Sequence, residues 1–200
     1  MFVRSLCAEP GCGRYAATGE TRCYLHLEDP DRYRNAVVGT LMRETAIRDL
    51  NLAYLELRDL DLPDRRFFGC NFDHASFTNV KLAHAYMRMC FLEFCRFEEC
   101  DFSESDIQSC SFAGSTMDRV TFAGSSLLHV NYNAIRCTRS VFSESDLYFS
   151  RFIEAELRSV EIMDCNIKKV WFVNATLDRV EFKYSNRGEA IFTYEEYGLA

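Results

Sequence analysis

The chain has 200 residues, of which 48% are hydrophobic and 26% charged, a composition typical of a globular protein. Its net charge of -7, from 23 basic and 30 acidic residues, works against nucleic-acid binding, because that binding requires Lys and Arg to replace condensed counterions. No apolar run approaches the ~18 residues that span a bilayer, and the N-terminus has no apolar secretory segment. We therefore expect a cytoplasmic protein that binds neither nucleic acid nor membrane.

The first 28 residues contain four candidate metal ligands. Cys7, Cys12, Cys23 and His26 follow the pattern C-x4-C-x10-C-x2-H, and three thiolates with one imidazole form the closed tetrahedral shell of a structural zinc site. So short a segment cannot build its own core, so metal binding would supply its folding energy. We predict a Zn²⁺-binding module at residues 1–28, with unligated thiols as the alternative. Its three arginines are balanced by three glutamates, which disfavours DNA recognition.

A helix is predicted directly after this module. Asp29 is a favourable N-cap, and Pro30 suits the first helical position, so the helix should run to about Glu44. Residues 29–46 would cover the open end of the repeat array that follows, because a solenoid must cap its terminal cross-section. The apolar stripe of this capping helix comprises Tyr33, Val37, Val38, Leu41 and Met42.

From residue 47 onward, a large and mostly apolar residue recurs at every fifth position. The series runs without insertion from Ile47 to Phe182, and the residue two positions earlier is mostly Cys, Ala or Ser. Neither a helix, with a period of 3.6, nor a strand, with a period of 2, produces this pattern. A chain that turns a corner every five residues does.

Several of these pentads begin with a shared three-residue pattern, as in Cys70-Asn71-Phe72, Cys100-Asp101-Phe102 and Ser145-Asp146-Leu147. They match the motif A(D/N)LXX, and the array resembles the pentapeptide-repeat family. The resemblance implies an all-β solenoid, a right-handed quadrilateral β-helix in which four pentads make one square coil. Residues 47–184 would then form about seven coils, behind the N-terminal α-helical cap and the small zinc-binding module. Residues 185–200 would form a C-terminal cap or a tail for homodimerisation.

Two features of the interior carry specific expectations. Cys70, Cys90 and Cys110 fall in one column at ~4.8 Å spacing, too far apart for disulfides, so we expect reduced core thiols. The alternative is a buried metal site at Cys90, Cys95 and Cys100, which converge inside one coil. Arg65 occupies a small inward position shortly after Pro63, and we expect the backbone to distort there, because an unpaired arginine cannot be buried.

One face of the expected coil is strongly acidic. This face carries eight acidic residues and only two basic ones, Lys81 and Lys183. The outward charges of the neighbouring faces are balanced or slightly basic. This face is either a solvated surface or an imitation of the DNA backbone that occupies a basic groove. Some pentapeptide-repeat proteins of the quinolone-resistance group are DNA mimics that engage DNA gyrase or topoisomerase IV, so the resemblance implies such a partner. The acidic face comprises Asp61, Asp64, Asp101, Glu104, Glu144, Glu161, Asp164 and Glu181.

A second outward cluster is apolar and predicts an alternative function, a scaffold that binds an unrelated protein or a second copy. No catalytic constellation accompanies either surface. The histidines outside the predicted zinc site, His74, His84 and His129, fall on three different faces, and no phosphate-binding or nucleophile motif is present. We therefore expect a protein that is not an enzyme. The apolar patch comprises Leu128, Tyr148, Phe149, Ile153, Trp171 and Val173.

Overall fold

The computed structural model of the protein describes residues 5–195, so the outermost residues of the predicted module and tail lie outside it. Helix α1 spans Pro30–Arg43, and short 3-10 helices lie at Tyr24–His26 and Arg187–Glu189. Between residues 5 and 195, no helix is long and apolar enough to cross a membrane. The strands are β1 Ala46–Arg48, β2 Glu56–Asp61, β3 Arg66–Phe68, β4 Ser76–Lys81, β5 Tyr86–Arg88, β6 Arg96–Glu98, β7 Asp106–Gln108, β8 Thr116–Asp118, β9 Ser126–Leu128, β10 Arg136–Thr138, β11 Glu156–Glu161 and β12 Thr176–Glu181.

These strands stack into a parallel β-solenoid. One face is a five-stranded sheet in the order β1-β3-β5-β7-β9, and another is a seven-stranded sheet in the order β12-β11-β10-β8-β6-β4-β2. Each residue pairs with the residue 20 positions later, as Phe77 does with Phe97. Isolated parallel bridges, such as Asn71 with Phe91 and Asp101 with Thr121, join the coils on the other two faces. The predicted β-solenoid of about seven coils is confirmed.

Every corner of the coil is made by one residue with a left-handed backbone. Positive φ recurs at each fifth position from Asp49 to Tyr184, two residues after the large inward side chain. Only three of these positions, Gly69, Gly114 and Gly124, are glycine. Left-handed backbone is disfavoured for residues that carry a Cβ. The corners must therefore be held in place by the core and by the hydrogen bonds between coils.

The core is a set of stacked columns. All the large inward residues from Ile47 to Phe172 are at most 3% exposed, and parallel rings repeat in register. Phe102 lies 5.0 Å from Phe122, which lies 4.9 Å from Phe142 between ring centroids. Near the C-terminal end the packing is incomplete, since Phe182 is only partly buried.

The small inward residues satisfy backbone groups that face the interior. The Ser125 hydroxyl accepts a hydrogen bond from the Ser105 N–H (3.0 Å) and donates one to the Phe102 carbonyl (2.9 Å). Buried cysteines take similar positions, and the Cys95 thiol donates to the Phe72 carbonyl (3.0 Å). All ten cysteines are free thiols, and burial raises the pKa of the Cys137 thiol to about 12. The thiols outside the N-terminal module are all buried in the core.

Helix α1 covers the first coil as predicted. Asp29 caps it by accepting a hydrogen bond from the Arg32 N–H (2.9 Å), and Leu41 is fully buried in the solenoid core. Tyr33 and Val37 are buried as well. Met42 is 59% exposed, so its place in the predicted apolar stripe is wrong: it lies in the last turn, beside the buried Leu41.

The expected backbone distortion at Arg65 is also wrong. The hydrogen bonds between coils continue through this residue, because the Tyr86 N–H donates to the Arg65 carbonyl at 2.9 Å. Its guanidinium donates instead to the carbonyls of Leu41 (2.8 Å), Met42 (3.0 Å) and Pro63 (2.9 Å). Two of these carbonyls belong to the last turn of α1, where carbonyls have no helical partner and cations are favoured. Arg65 therefore joins the capping helix to the solenoid.

Replacing this arginine should loosen the cap. Arg65→Met keeps an unbranched side chain but leaves three carbonyls without their donor, so we expect a loss of about 1–3 kcal/mol in the free energy of unfolding. Urea unfolding followed by circular dichroism measures it. Arg96→Met, which removes an exposed arginine paired only with Glu98, should change stability by less than about 0.5 kcal/mol. Equal midpoints for the two variants would contradict the role of Arg65.

Candidate metal centre and binding faces

The four predicted metal ligands converge at one point of the N-terminal module. Their ligand atoms all lie within 4.8 Å of one another. The Sγ atom of Cys7 is 3.5 Å and that of Cys23 is 3.7 Å from Nδ1 of His26, and the Sγ atoms of Cys12 and Cys23 are 3.8 Å apart. A tetrahedral Zn²⁺ site with Zn–S of ~2.3 Å and Zn–N of ~2.0 Å has edges of about 3.5–3.8 Å. The donor set therefore fits a tetrahedral metal ion.

The local fold explains this convergence. A tight loop closed by the antiparallel bridge between Leu6 and Tyr15 carries Cys7 and Cys12, and the 3-10 helix Tyr24–His26 begins directly after Cys23. The Arg14 guanidinium lies 3.4 Å from the Cys12 sulfur.

The thiols of the cluster differ in acidity. Burial raises the pKa of the Cys7 thiol, but hydrogen bonds from the backbone N–H groups of Cys23 and Glu9 and from His26 outweigh burial and lower it to about 6. Burial and then the neighbouring Cys12 thiol raise the pKa of Cys23. Three thiolates so close together repel one another, and a bound cation is what would hold them deprotonated.

Two buried asparagines attach the module to the solenoid. The Asn51 side chain, 2% exposed, donates to the Ala16 carbonyl (2.6 Å), and its backbone N–H donates to the Thr18 hydroxyl (2.6 Å). Asn71, one coil later, donates to the Asn51 side-chain oxygen at 2.8 Å. Sequence reasoning missed these residues. Their only signal is two asparagines 20 positions apart at an outward position of the pentad.

The eight predicted acidic residues lie on the solenoid surface. Between residues 5 and 195, none of them forms an ion pair with Lys or Arg, and Glu104 alone has a charged-type partner, the His84 ring at 3.7 Å. The neighbouring face that carries Asp118 differs, since Asp118 pairs there with both Arg119 and Arg139. In the column of Asp101, two neutral residues, Thr121 and Val141, lie between Asp101 and Glu161 and interrupt the row of acids.

The predicted apolar patch is smaller than expected. Phe149 is 39% exposed and lies 5.6 Å from the Tyr148 ring and 5.1 Å from the His129 ring. Leu128, Ile153 and Trp171 are partly exposed. Val173 is 1% exposed and is not part of an accessible patch. The chain at Ile191 stacks onto this coil, and its carbonyl accepts a hydrogen bond from the Phe172 N–H at 2.7 Å.

Two family models match the repeat array. Residues 115–192 match the model described as a pentapeptide repeat region, and residues 95–131 match the model of pentapeptide repeats in eight copies. Residues 95–192 are pentapeptide repeats of this family. The two matches together span residues 95–192, whereas the first coils, where the capping helix and the module attach, fall outside both matches.

Solved structures of other pentapeptide-repeat proteins are similar to this chain. HetL from the cyanobacterium Nostoc sp., involved in heterocyst differentiation regulation, is 12% identical, with 84% of this chain and 98% of HetL covered and a TM-score of 0.33. Trypsin-treated QnrB1, a plasmid-mediated fluoroquinolone resistance protein, is 16% identical, with 71% and 78% covered and a TM-score of 0.39. Likeness at this level transfers no function. No curated protein matches the chain.

Metal binding should require the four residues of the N-terminal cluster, and removal of the metal should leave the solenoid folded. We expect one Zn²⁺ per chain of this pentapeptide-repeat protein, bound by Cys7, Cys12, Cys23 and His26, and its removal by a chelator should speed amide exchange in the module alone. Metal analysis and hydrogen–deuterium exchange measure the two effects.

Matched cysteine variants make this test specific. Cys23→Ser should lose the metal, whereas Cys165→Ser, which changes a buried core thiol elsewhere, should retain it. Equal zinc contents in the two variants would show that the N-terminal cluster is not the site.

Proposed function

We propose that this pentapeptide-repeat protein is a cytoplasmic, non-catalytic rod that binds a protein partner through its acidic face in place of DNA. The partner would be a type II topoisomerase, DNA gyrase or topoisomerase IV. The exposure of eight carboxylates that form no ion pair with Lys or Arg of the described chain supports this proposal. A basic DNA-binding groove would supply the ion pairs that the rod itself lacks.

The charge density of the acidic face sets the strength of such mimicry. Seven coils at ~4.8 Å make a rod about 34 Å long, and a DNA duplex of that length carries about 20 phosphate charges. The eight carboxylates replace less than half of them. The rod would therefore compete for a limited part of a DNA-binding surface, and its binding should weaken steeply as salt is added.

The shape of the molecule supports a binding role rather than catalysis. Stacked side chains fill the solenoid interior. A cleft of about 600 Å³ lies between the module and α1, with Arg22, Glu28, Arg32 and Tyr33 in its lining. The cleft lining contains neither His nor Cys, so it offers no imidazole base and no thiol nucleophile. The Zn²⁺ in this proposal is structural and holds the module against the first coil.

Charge reversal on the acidic face tests the proposal in a gyrase supercoiling assay. The native protein should inhibit supercoiling, and replacing Asp101, Glu104, Glu144 and Asp164 by Lys should weaken inhibition at least about tenfold, because like charges would then meet in the groove. The same change in net charge on the neighbouring face that carries Asp118, with Glu56, Asp59, Glu99 and Asp178 replaced by Lys, should leave inhibition in place. Equal loss in both variants would indicate non-specific acidity and would contradict a site.

The alternative function is a scaffold that binds an unrelated protein through the patch around Phe149. The exposed Phe149 ring, with the Lys169 ammonium 5.4 Å from its centroid, favours this second candidate. Phe149→Asn should leave gyrase inhibition unchanged if the acidic face is the site. If the native protein has no effect on supercoiling, the patch becomes the leading interaction surface.

We also propose that two copies dimerise through the C-terminal end. Leu177, Val180 and Phe182 of the last coil are only partly buried among the described residues, whereas α1 covers the other end. Light scattering should give twice the chain mass, and Leu177→Glu should give a monomer, because a charge would have to be buried between the stacked ends. Phe149→Asn should remain a dimer. A monomeric Phe149→Asn would instead place the dimer contact at the apolar patch.

A further inference from the structure

Arginine and aromatic side chains alternate on the outer surface of the first three strands of the five-stranded sheet. The parallel register places Arg48 beside Phe68 and then Arg88 in one row, and Arg66 beside Tyr86 in the next. The Arg48 Cζ lies 3.9 Å from the Phe68 ring centroid. The Arg66 and Arg88 Cζ atoms lie 4.9 and 3.7 Å from the Tyr86 ring centroid. We call these five residues the arginine ladder.

Two members of the arginine ladder have no acidic partner. Arg88 forms an ion pair with Asp106 at 2.5 Å. Between residues 5 and 195, Arg48 and Arg66 form no ion pair, and both are exposed. The nearby Glu44 is already paired with Arg43. Two guanidiniums are thus left uncompensated on a protein whose net charge is -7.

Stacking prepares these two guanidiniums for an oxyanion. A guanidinium that lies over a ring keeps its N–H groups free at its edge, and those groups match a carboxylate in bidentate geometry. Phe68 and Tyr86 restrict the arginine side chains in advance, so less rotamer entropy is lost on binding. In Arg88 this geometry is already used within the chain, since its guanidinium donates to both the side chain and the carbonyl of Asp106.

The spacing of the pair indicates what would bind. Arg48 and Arg66 lie on neighbouring strands and are offset by two residues, so their Cα atoms are about 8 Å apart. In an extended peptide, residues i and i+2 point to the same side and are about 6.6–7 Å apart. We propose that Arg48 and Arg66 form a binding site for an extended acidic peptide segment with two carboxylates in the pattern Asp/Glu-x-Asp/Glu. This surface is separate from the acidic face and independent of the proposed function.

The same residues are less suited to nucleic acid. Single-stranded nucleic acid binds where aromatic rings are open to stack on bases. Both rings of the arginine ladder are already covered by guanidiniums, at 3.9 Å on Phe68 and 3.7 Å on Tyr86. The acidic face is the adjoining side of the coil and would repel a long polyanion, whereas a short peptide does not reach it.

Fluorescence anisotropy with a labelled peptide tests the site in the full-length, zinc-loaded protein at low salt. The probe is Gly-Ser-Glu-Ala-Glu-Ser-Gly. We expect binding that weakens about tenfold in the double variant Arg48→Gln with Arg66→Gln, which loses two charge-assisted contacts. The control is Arg58→Gln with Arg96→Gln, the same charge change at two exposed arginines on the other sheet, which should bind as the native protein does.

Two further comparisons separate a shaped site from plain charge. Phe68→Leu keeps both arginines but removes the ring under Arg48, and binding should weaken about threefold with the fold unchanged by thermal unfolding. A peptide with Glu-Ala-Ala-Glu spacing should bind more weakly than the probe. Equal binding of both peptides, equal loss in the control variant, or no binding of the probe would overturn the proposal. Tighter binding of an oligothymidine that depends on Arg48 and Arg66 would overturn it in favour of a nucleic-acid surface.

Discussion

The fold depends on a left-handed corner at every fifth residue. Since most of these corners are made by residues other than glycine, each costs conformational energy that the filled core and the ladder between coils must offset. The same corner fixes which side chains point inward. Two positions of each pentad fill the interior, and the remaining three are presented to solvent on faces that stack in register. The surface is therefore sorted by position in the pentad, which allows one acidic face beside balanced ones.

The repeat could be predicted from the sequence because its contacts repeat with the same spacing. Once the five-residue period is known, the columns of Phe102, Phe122 and Phe142 and the pairing of residues 20 apart follow from stacking alone. The metal ligands could be predicted because three Cys and one His at short spacing along the chain are themselves typical of a zinc site. The structure brings the ligand atoms of all four together.

The places where prediction failed are contacts between unlike elements. Arg65 reaches across to the end of α1, and Asn51 meets the N-terminal module. None of these contacts repeats along the sequence, so the period contains no information about them. Arg65 shows this most clearly, because its inward position was recognised but the helix carbonyls that accept its hydrogen bonds could not be. The arginine ladder was also not predicted, because the net charge of the whole chain is negative and does not show where arginines cluster.

The register between coils also limits how the length of this chain can change. Deleting one pentad would preserve the alternation of large and small inward residues, so the core could still stack. Every residue after the deletion would, however, move by a quarter of a turn to the next face, because four pentads complete one coil. Acidic residues from coils before and after the deletion would then lie on different sides of the rod. The fold tolerates changes in steps of five residues, but a continuous binding face is preserved only in steps of 20.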